Sequence, residues 1–423
     1  MVKAPPEWGI EPVPDERRIL GTLDYAVLWS SLGVGLLVMQ AGALLVQWLG
    51  LNLWEALLVS LVGSVAGSAI LALASVPGAR YGVPTMVSLR PVLGVRGTYL
   101  PTVLNVVQLV GWTTFEMIIM GEAATAVSGE LMGPYTKYLW MTVFGVWCYL
   151  LAVLGPLAVV RQWLEKFAIW LVYASSAWIT YQLLRVSPAG GGGAGLPEFL
   201  LALDLVIAMP VSWMPLVSDY NRFARSVSKG VLGTFLGYTI ANTWFYWMGA
   251  ALAAAYPRES VVYSIALLYL GVLAVAGILV DETDNAFADI YSAAVSLQNI
   301  APRARQWKLA LGITLASLVL AYTVPIAQYE HFLLLIGASF VPLFGVLISD
   351  YFLVRRGRYG IDEFYGRAPG IRAAPLVAWA VGFTVYYILA YCATWAGVGA
   401  TLPSLLTSLI LHYALSRASG VVR

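Results

Sequence analysis

With 423 residues, 60% of them hydrophobic and 11% charged, the chain has the composition of a polytopic membrane protein, which excludes a string of soluble domains. Its net charge of +2 implies no nucleic-acid partner, and its two cysteines, Cys148 and Cys392, lie inside apolar runs, so neither a disulfide framework nor a metal cluster is expected. The proline-rich, charged start up to Arg18 has no short apolar core with a small-residue cleavage site, so it is not read as a secretory signal.

A helix needs about 20 apolar residues to cross the hydrocarbon. Such runs fall at 22–48, 54–76, 101–127, 136–155, 163–184, 199–220, 230–255, 267–299, 307–324, 331–354, 376–396 and 399–416. They predict an all-α fold of twelve spans, with the stretch 261–266 either a short outer segment or the start of the eighth. Placing the N-terminus inside puts 21 of the 24 Lys and Arg residues, from Lys3 to Arg423, on cytoplasmic ends and loops, and leaves Lys137, Arg185 and Arg258 outside. Because Lys and Arg beside short loops set orientation, the expectation is a monomeric, multi-pass protein of the cell membrane. Segments 1–21, 355–375 and 417–423 are then cytoplasmic.

In chain order, the first span carries Gly33 and Gly35 near its midpoint and Gly42 further on, with the polar Gln40 between them. Glycine there serves either close packing or a backbone break, and these residues alone leave both open. In the third span Gln108, Trp112 and Glu116 recur at i, i+4 and i+8, which predicts one shared face, with Glu116 near mid-span. A carboxylate at that depth costs about 2.5–3.5 kcal/mol and marks either a functional group or a structural partner. An indole beside a carboxylate suits a flat heterocycle, the ring taking the stack and the oxygens taking ring N–H or amino hydrogens. Glu122, nearer the outer end, is expected to be solvated.

The glycine-rich run within 188–198 is an outer loop that divides the first ten spans into halves at 22–187 and 199–354. Five helices per half give the second half the opposite orientation, the arrangement of inverted-repeat transporters, whose helices are interrupted at the binding site. The sixth span contains Met209-Pro-Val-Ser-Trp-Met-Pro215. Its two prolines remove backbone donors and clash with the preceding turn. Broken backbone at membrane depth is tolerated only beside protein or a water-filled cavity, so Ser212 and Trp213 are expected on a cavity wall. Asp219, Asn221 and Arg222 are expected at its cytoplasmic mouth, with Asp24 either in the same gate or simply a helix-start charge.

The eighth span contains Asp281-Glu282-Thr283-Asp284-Asn285, followed by Asp289, without a Lys or Arg. These acids cannot all stay ionised in a low dielectric, so a cation or protons must join them. Asp350 with Arg355 and Arg356 reads as an anchor, and His331 and His412 as isolated packing residues. The spans at 376–396 and 399–416 complete the chain. With no Walker, zinc-protease or nucleophile-elbow motif, neither an enzyme nor a cofactor is expected.

The stretches Tyr81-Gly-Val-Pro-Thr-Met-Val-Ser-Leu-Arg-Pro-Val-Leu-Gly-Val-Arg-Gly97, Leu104-Asn-Val-Val-Gln-Leu-Val-Gly-Trp112, Met209 to Phe223 and Asp284-Asn-Ala-Phe-Ala-Asp-Ile-Tyr-Ser-Ala-Ala-Val-Ser296 resemble the nucleobase:cation symporter family of cytosine and purine permeases and hydantoin transporters. Within it the chain looks most like the hydroxymethylpyrimidine transporter branch. The resemblance implies an inverted-repeat fold with discontinuous first and sixth helices and two accessory C-terminal helices. It also implies a substrate between Trp112 and Trp213, with Gln40, Glu116 and Ser212 as polar contacts, to which the shared face of the third span adds Gln108. In family members with a sodium site, the first span supplies backbone carbonyls, here Leu36 and Met39, and the eighth supplies two hydroxyl residues. The matching place here reads Asp281-Glu282-Thr283, which departs from that pattern and leaves sodium and proton both open, with Asp284 and Asn285 beside it.

The function these residues imply is secondary transport of a planar nitrogen heterocycle, a nucleobase or aminopyrimidine, driven by co-transported sodium or protons through alternating access. The alternatives are an amino-acid or other small-solute carrier on the same scaffold and, from another class, a membrane sensor or intramembrane enzyme.

Overall fold

The computed structural model describes residues 8–185, 193–325, 329–366, 370–392 and 397–420, without the side chains of 161, 162, 165, 329–331, 333 and 334. Lys3, Arg367, Arg423 and residues 188–192 of the outer loop therefore lie outside the described residues, as do the side chains of Arg161 and His331. Over its described residues, each of the twelve apolar runs falls on a helix or on consecutive helical segments, and one short stretch, Leu131–Pro134, is extended. By length and apolarity six helices among the described residues can cross a membrane, or seven when the bent first pair counts as one span. Gly271–Gln298 is long enough, but its clustered acids hold it outside that set. Val261–Ala266 is a separate short helix, so the eighth span begins at Gly271.

The first span is two helices, Thr22–Leu32 and Leu36–Gln47, set at 60°. Gly33 ends the first, Gly35 starts the second, and the backbone groups freed between them are taken up by the eighth span. Gly42 serves the other purpose. A Cβ on it would lie 2.2 Å from the Tyr246 carbonyl oxygen, and one on Gly249 would lie 2.0 Å from that of Met39. The first and seventh spans are thus in backbone contact through a glycine on each side, the close approach that small residues allow.

The sixth span runs as Leu196–Ser212, a tight turn at Met214–Leu216, and Val217–Asn221. The interruption falls at Trp213, one turn later than the first proline. Pro210 stays inside the helix, with its ring over Gly67, where a Cβ would lie 2.4 Å from Pro210 Cγ. Pro215 sits in the turn, and its carbonyl accepts from Asn105 Nδ2 at 3.3 Å.

The last two spans are fastened at both ends. Half-buried Asp204 of the sixth span accepts the backbone N–H groups of Ala400 and Thr401 at 3.0 and 2.8 Å, capping Thr401–Ala418. At the other end Asp350 meets His412 at 3.1 Å and accepts from Tyr359 at 2.8 Å. Asp350 therefore anchors through these two residues, while Arg355 pairs with Glu363 at 3.0 Å. Glu122 is likewise paired, with Lys137 at 2.6 Å.

Beneath the sixth-span turn, the N-terminal segment crosses the bundle. Fully buried Arg222 donates to the Gly9 carbonyl and to the Tyr291 hydroxyl, both at 2.7 Å. Tyr365 donates to the Ile10 carbonyl at 2.6 Å, Val13 N–H to Gly82 at 2.9 Å, and Arg18 to the carbonyl of Ala79. Asp219 accepts from the Thr85 N–H at 2.8 Å and no described cation pairs with it; Asp24 accepts from the Gly21 N–H, the helix-start role.

Candidate functional site

The interruptions of the first and sixth spans and the middles of the third and eighth converge on one cavity. Trp112 and Glu116 face it from the third span, Ser212 and Trp213 from the sixth, Asn285 and Asp289 from the eighth, and Gly35 from the first. Trp213 packs edge-on against Trp29 at 6.2 Å, and Trp112 against Phe332 at 5.7 Å. Its free volume is about 20 Å³, roughly what one water needs. The cavity is contracted around these side chains.

The eighth span divides its polar residues between two faces. Glu282, Asn285 and Asp289 stand at i, i+3 and i+7, one face of a helix. Glu282 accepts the Leu36 N–H with its two oxygens at 3.2 and 3.0 Å, and Asn285 Nδ2 donates to the Val34 carbonyl at 3.0 Å. The carboxylate sits at the N-terminus of Leu36–Gln47, where the helix dipole favours negative charge. Glu116 and Glu282 stand close enough for their charges to act on each other, and two such carboxyls in a low dielectric do not both stay ionised.

Asp281 and Asp284 turn instead toward Ser31, whose hydroxyl lies 2.9 and 3.3 Å from their oxygens. Ser30, next to it, accepts from Tyr173 at 2.7 Å. Thr283 donates to its own helix at Val280, and its carbonyl faces Cys148. The residues 281–285 are thus two groups about a helix, with only Glu282 and Asn285 on the cavity side.

Four expected contacts lie elsewhere. Gln108 is a turn below the cavity, donates to Asn105 Oδ1 at 2.7 Å, and lines a separate apolar hollow between the third, tenth and eleventh spans. Gln40 is not on the cavity wall. Leu36 presents its N–H to the eighth span, and the Met39 carbonyl faces Gly249 of the seventh. The reason is common to both: a helix resumes at Leu36, so the Met39 backbone is already inside it. Ser31 was not singled out by sequence, and Asp289, noted among the acids of the eighth span, was not placed in the site. The serine pair just ahead of Gly33 and the i+7 spacing from Glu282 are the signals that carry them.

Residues 12–414 match the family described as permease for cytosine/purines, uracil, thiamine, allantoin. The hydantoin permease of Microbacterium maritypicum is 24% identical over 389 residues, spanning 85% of this chain and 78% of that one. The cytosine permease of Escherichia coli K12 is 27% identical over 319 residues, spanning 73% and 72%. Among solved structures, Mhp1, a nucleobase-cation-symport-1 family transporter, superposes in a closed conformation with bromovinylhydantoin bound at a TM-score of 0.83, with 20% identity over 98% of this chain and 95% of that one. Its inward-facing conformation superposes at 0.78, with 20% identity over 99% and 95%. The fold is that of these transporters, and with nearly its whole length matched, the chain is an integral membrane protein that belongs to the cytosine/purine, uracil, thiamine and allantoin permease family.

Proposed function

We propose that this permease carries an aminopyrimidine-type base into the cell, coupled to protons, by alternating access between two inverted five-helix halves at 22–187 and 199–354. The observation that carries the reading is the cavity between Trp112 and Trp213, with the Glu116 carboxyl on its edge and Glu282 in reach behind it. The indoles take the two faces of the ring, and Glu116 takes its N–H and amino hydrogens. Glu282 is the coupling group. Its oxygens meet the backbone N–H groups that open the resumed first-span helix and lie beside a second carboxyl, an arrangement that accommodates a proton.

Coupling follows if proton and base both favour the same base-occupied state, each supplying part of the population shift. The protein works as a monomer in the cell membrane with both ends cytoplasmic, and the N-terminal segment seals the inner side beneath the cavity. A thermal-shift screen of nucleobases and thiamine precursors, with sodium and pH varied, tests this. Stabilisation by an aminopyrimidine that strengthens on acidification and ignores sodium is the expected result. No response to any flat base would remove the reading.

A further inference from the structure

The charge around the cavity is one-sided. Glu116 and Asp289 both line it, Glu282 stands just behind, and no Lys, Arg or His is among the described lining residues. Asp289 is 3% exposed, and neither a hydrogen bond nor a counter-charge reaches it from any described residue. Glu116 and Glu282 have each other and the Leu36 N–H; Asp289, two turns along the same face, does not share in that arrangement. An unpartnered carboxylate in such a wall is costly unless a proton or another positive group joins it.

The other walls say what kind of group. Trp112 and Trp213 present indole rings, the aromatic surface to which a cation is drawn most strongly. Cations with a compact polar head, such as a sodium ion or a primary ammonium, keep most of their water and gain little from such walls. A flat ring with its charge spread over nitrogen satisfies both indoles and the carboxylate at once.

We infer that the cavity is built for an aromatic cation, a planar heterocycle bearing positive charge, with Asp289 as the counter-charge that selects it over neutral rings of the same shape. This rests on the reading of the cavity as the substrate site, and adds the charge of the substrate to it. Asp289 is here a specificity-determining residue, separate from Glu116, which reads the hydrogen-bond edge.

The test uses the full-length purified protein at one fixed pH. Binding of 4-amino-1-methylpyridinium, whose charge is permanent, is compared with that of its neutral isostere 4-methylaniline and with cytosine. The expected result is that the cation binds at least about tenfold more tightly than the isostere, in the range of a desolvated cation–aromatic contact. Asp289→Asn should lower affinity for the cation more than for cytosine. Equal binding of cation and isostere while cytosine still binds overturns this inference and leaves the proposed function standing. Binding of none of the three overturns both. The comparison on the parent protein decides the matter even if the variant does not fold.

Discussion

Leu36 and Glu282 close the gap in the first span: one backbone N–H is shared between two carboxylate oxygens at 3.2 and 3.0 Å, so the second half of that helix starts on a side chain of the eighth. A single residue thereby caps a helix and stands beside Glu116. In Glu282→Gln the amide oxygen still accepts from Leu36, but the group no longer takes up and releases a proton. Exchange of base across proteoliposomes should persist while accumulation driven by a pH gradient is lost. A variant with the parent's pH profile would contradict the coupling role.

Glu116→Gln replaces two acceptors by one acceptor and one donor at the cavity edge. A charged hydrogen bond is worth roughly 1.5–3 kcal/mol, so affinity for an aminopyrimidine should fall about tenfold or more. Competition binding reads this directly, and unchanged affinity would take Glu116 out of the site.

Trp112→Ala and Trp213→Ala each remove one face of the stack. An aromatic pair contributes about 0.5–1.5 kcal/mol beyond its buried area, so each change should weaken binding by about tenfold once the lost area is added. Retained affinity in both would favour a carrier of non-planar solutes on this scaffold.

Gly249→Ala forces a Cβ to within 2.0 Å of a backbone oxygen that has no room to retreat. Loss of the monodisperse peak in size-exclusion chromatography is expected. Gly312→Ala, on a helix where a Cβ meets nothing within 4 Å, is expected to leave that peak intact.

Arg222→Ala frees the Gly9 carbonyl and the Tyr291 hydroxyl together. Local opening should become easier on the inner side, seen as several-fold faster amide exchange over Gly9–Leu20 and around the sixth-span turn. Unchanged exchange would mean that the N-terminal segment is held by its other contacts alone.

The long-range plan was legible because membrane burial writes itself into composition: twelve apolar runs, prolines at Pro210 and Pro215, and acids without bases at 281–289. What sequence could not decide was phase. Gln108 has the i+4 spacing from Trp112 that places it on the same face, yet Asn105 one turn below offers an acceptor and holds it there. Asp281 and Glu282 are adjacent in sequence but about 100° apart on the helix, so one meets Ser31 and the other Leu36. Asp350 with His412 was out of reach for a different reason, since 62 residues separate them and no local pattern pairs them.

Asp204 holds the start of the twelfth helix by two backbone bonds. The C-terminal hairpin is consequently not a passive outrigger. Under the alternating access proposed above, a tilt of Leu196–Ser212 is transmitted to the hairpin through these bonds, and cross-linking the hairpin to the surrounding helices is expected to slow transport from a position remote from the base.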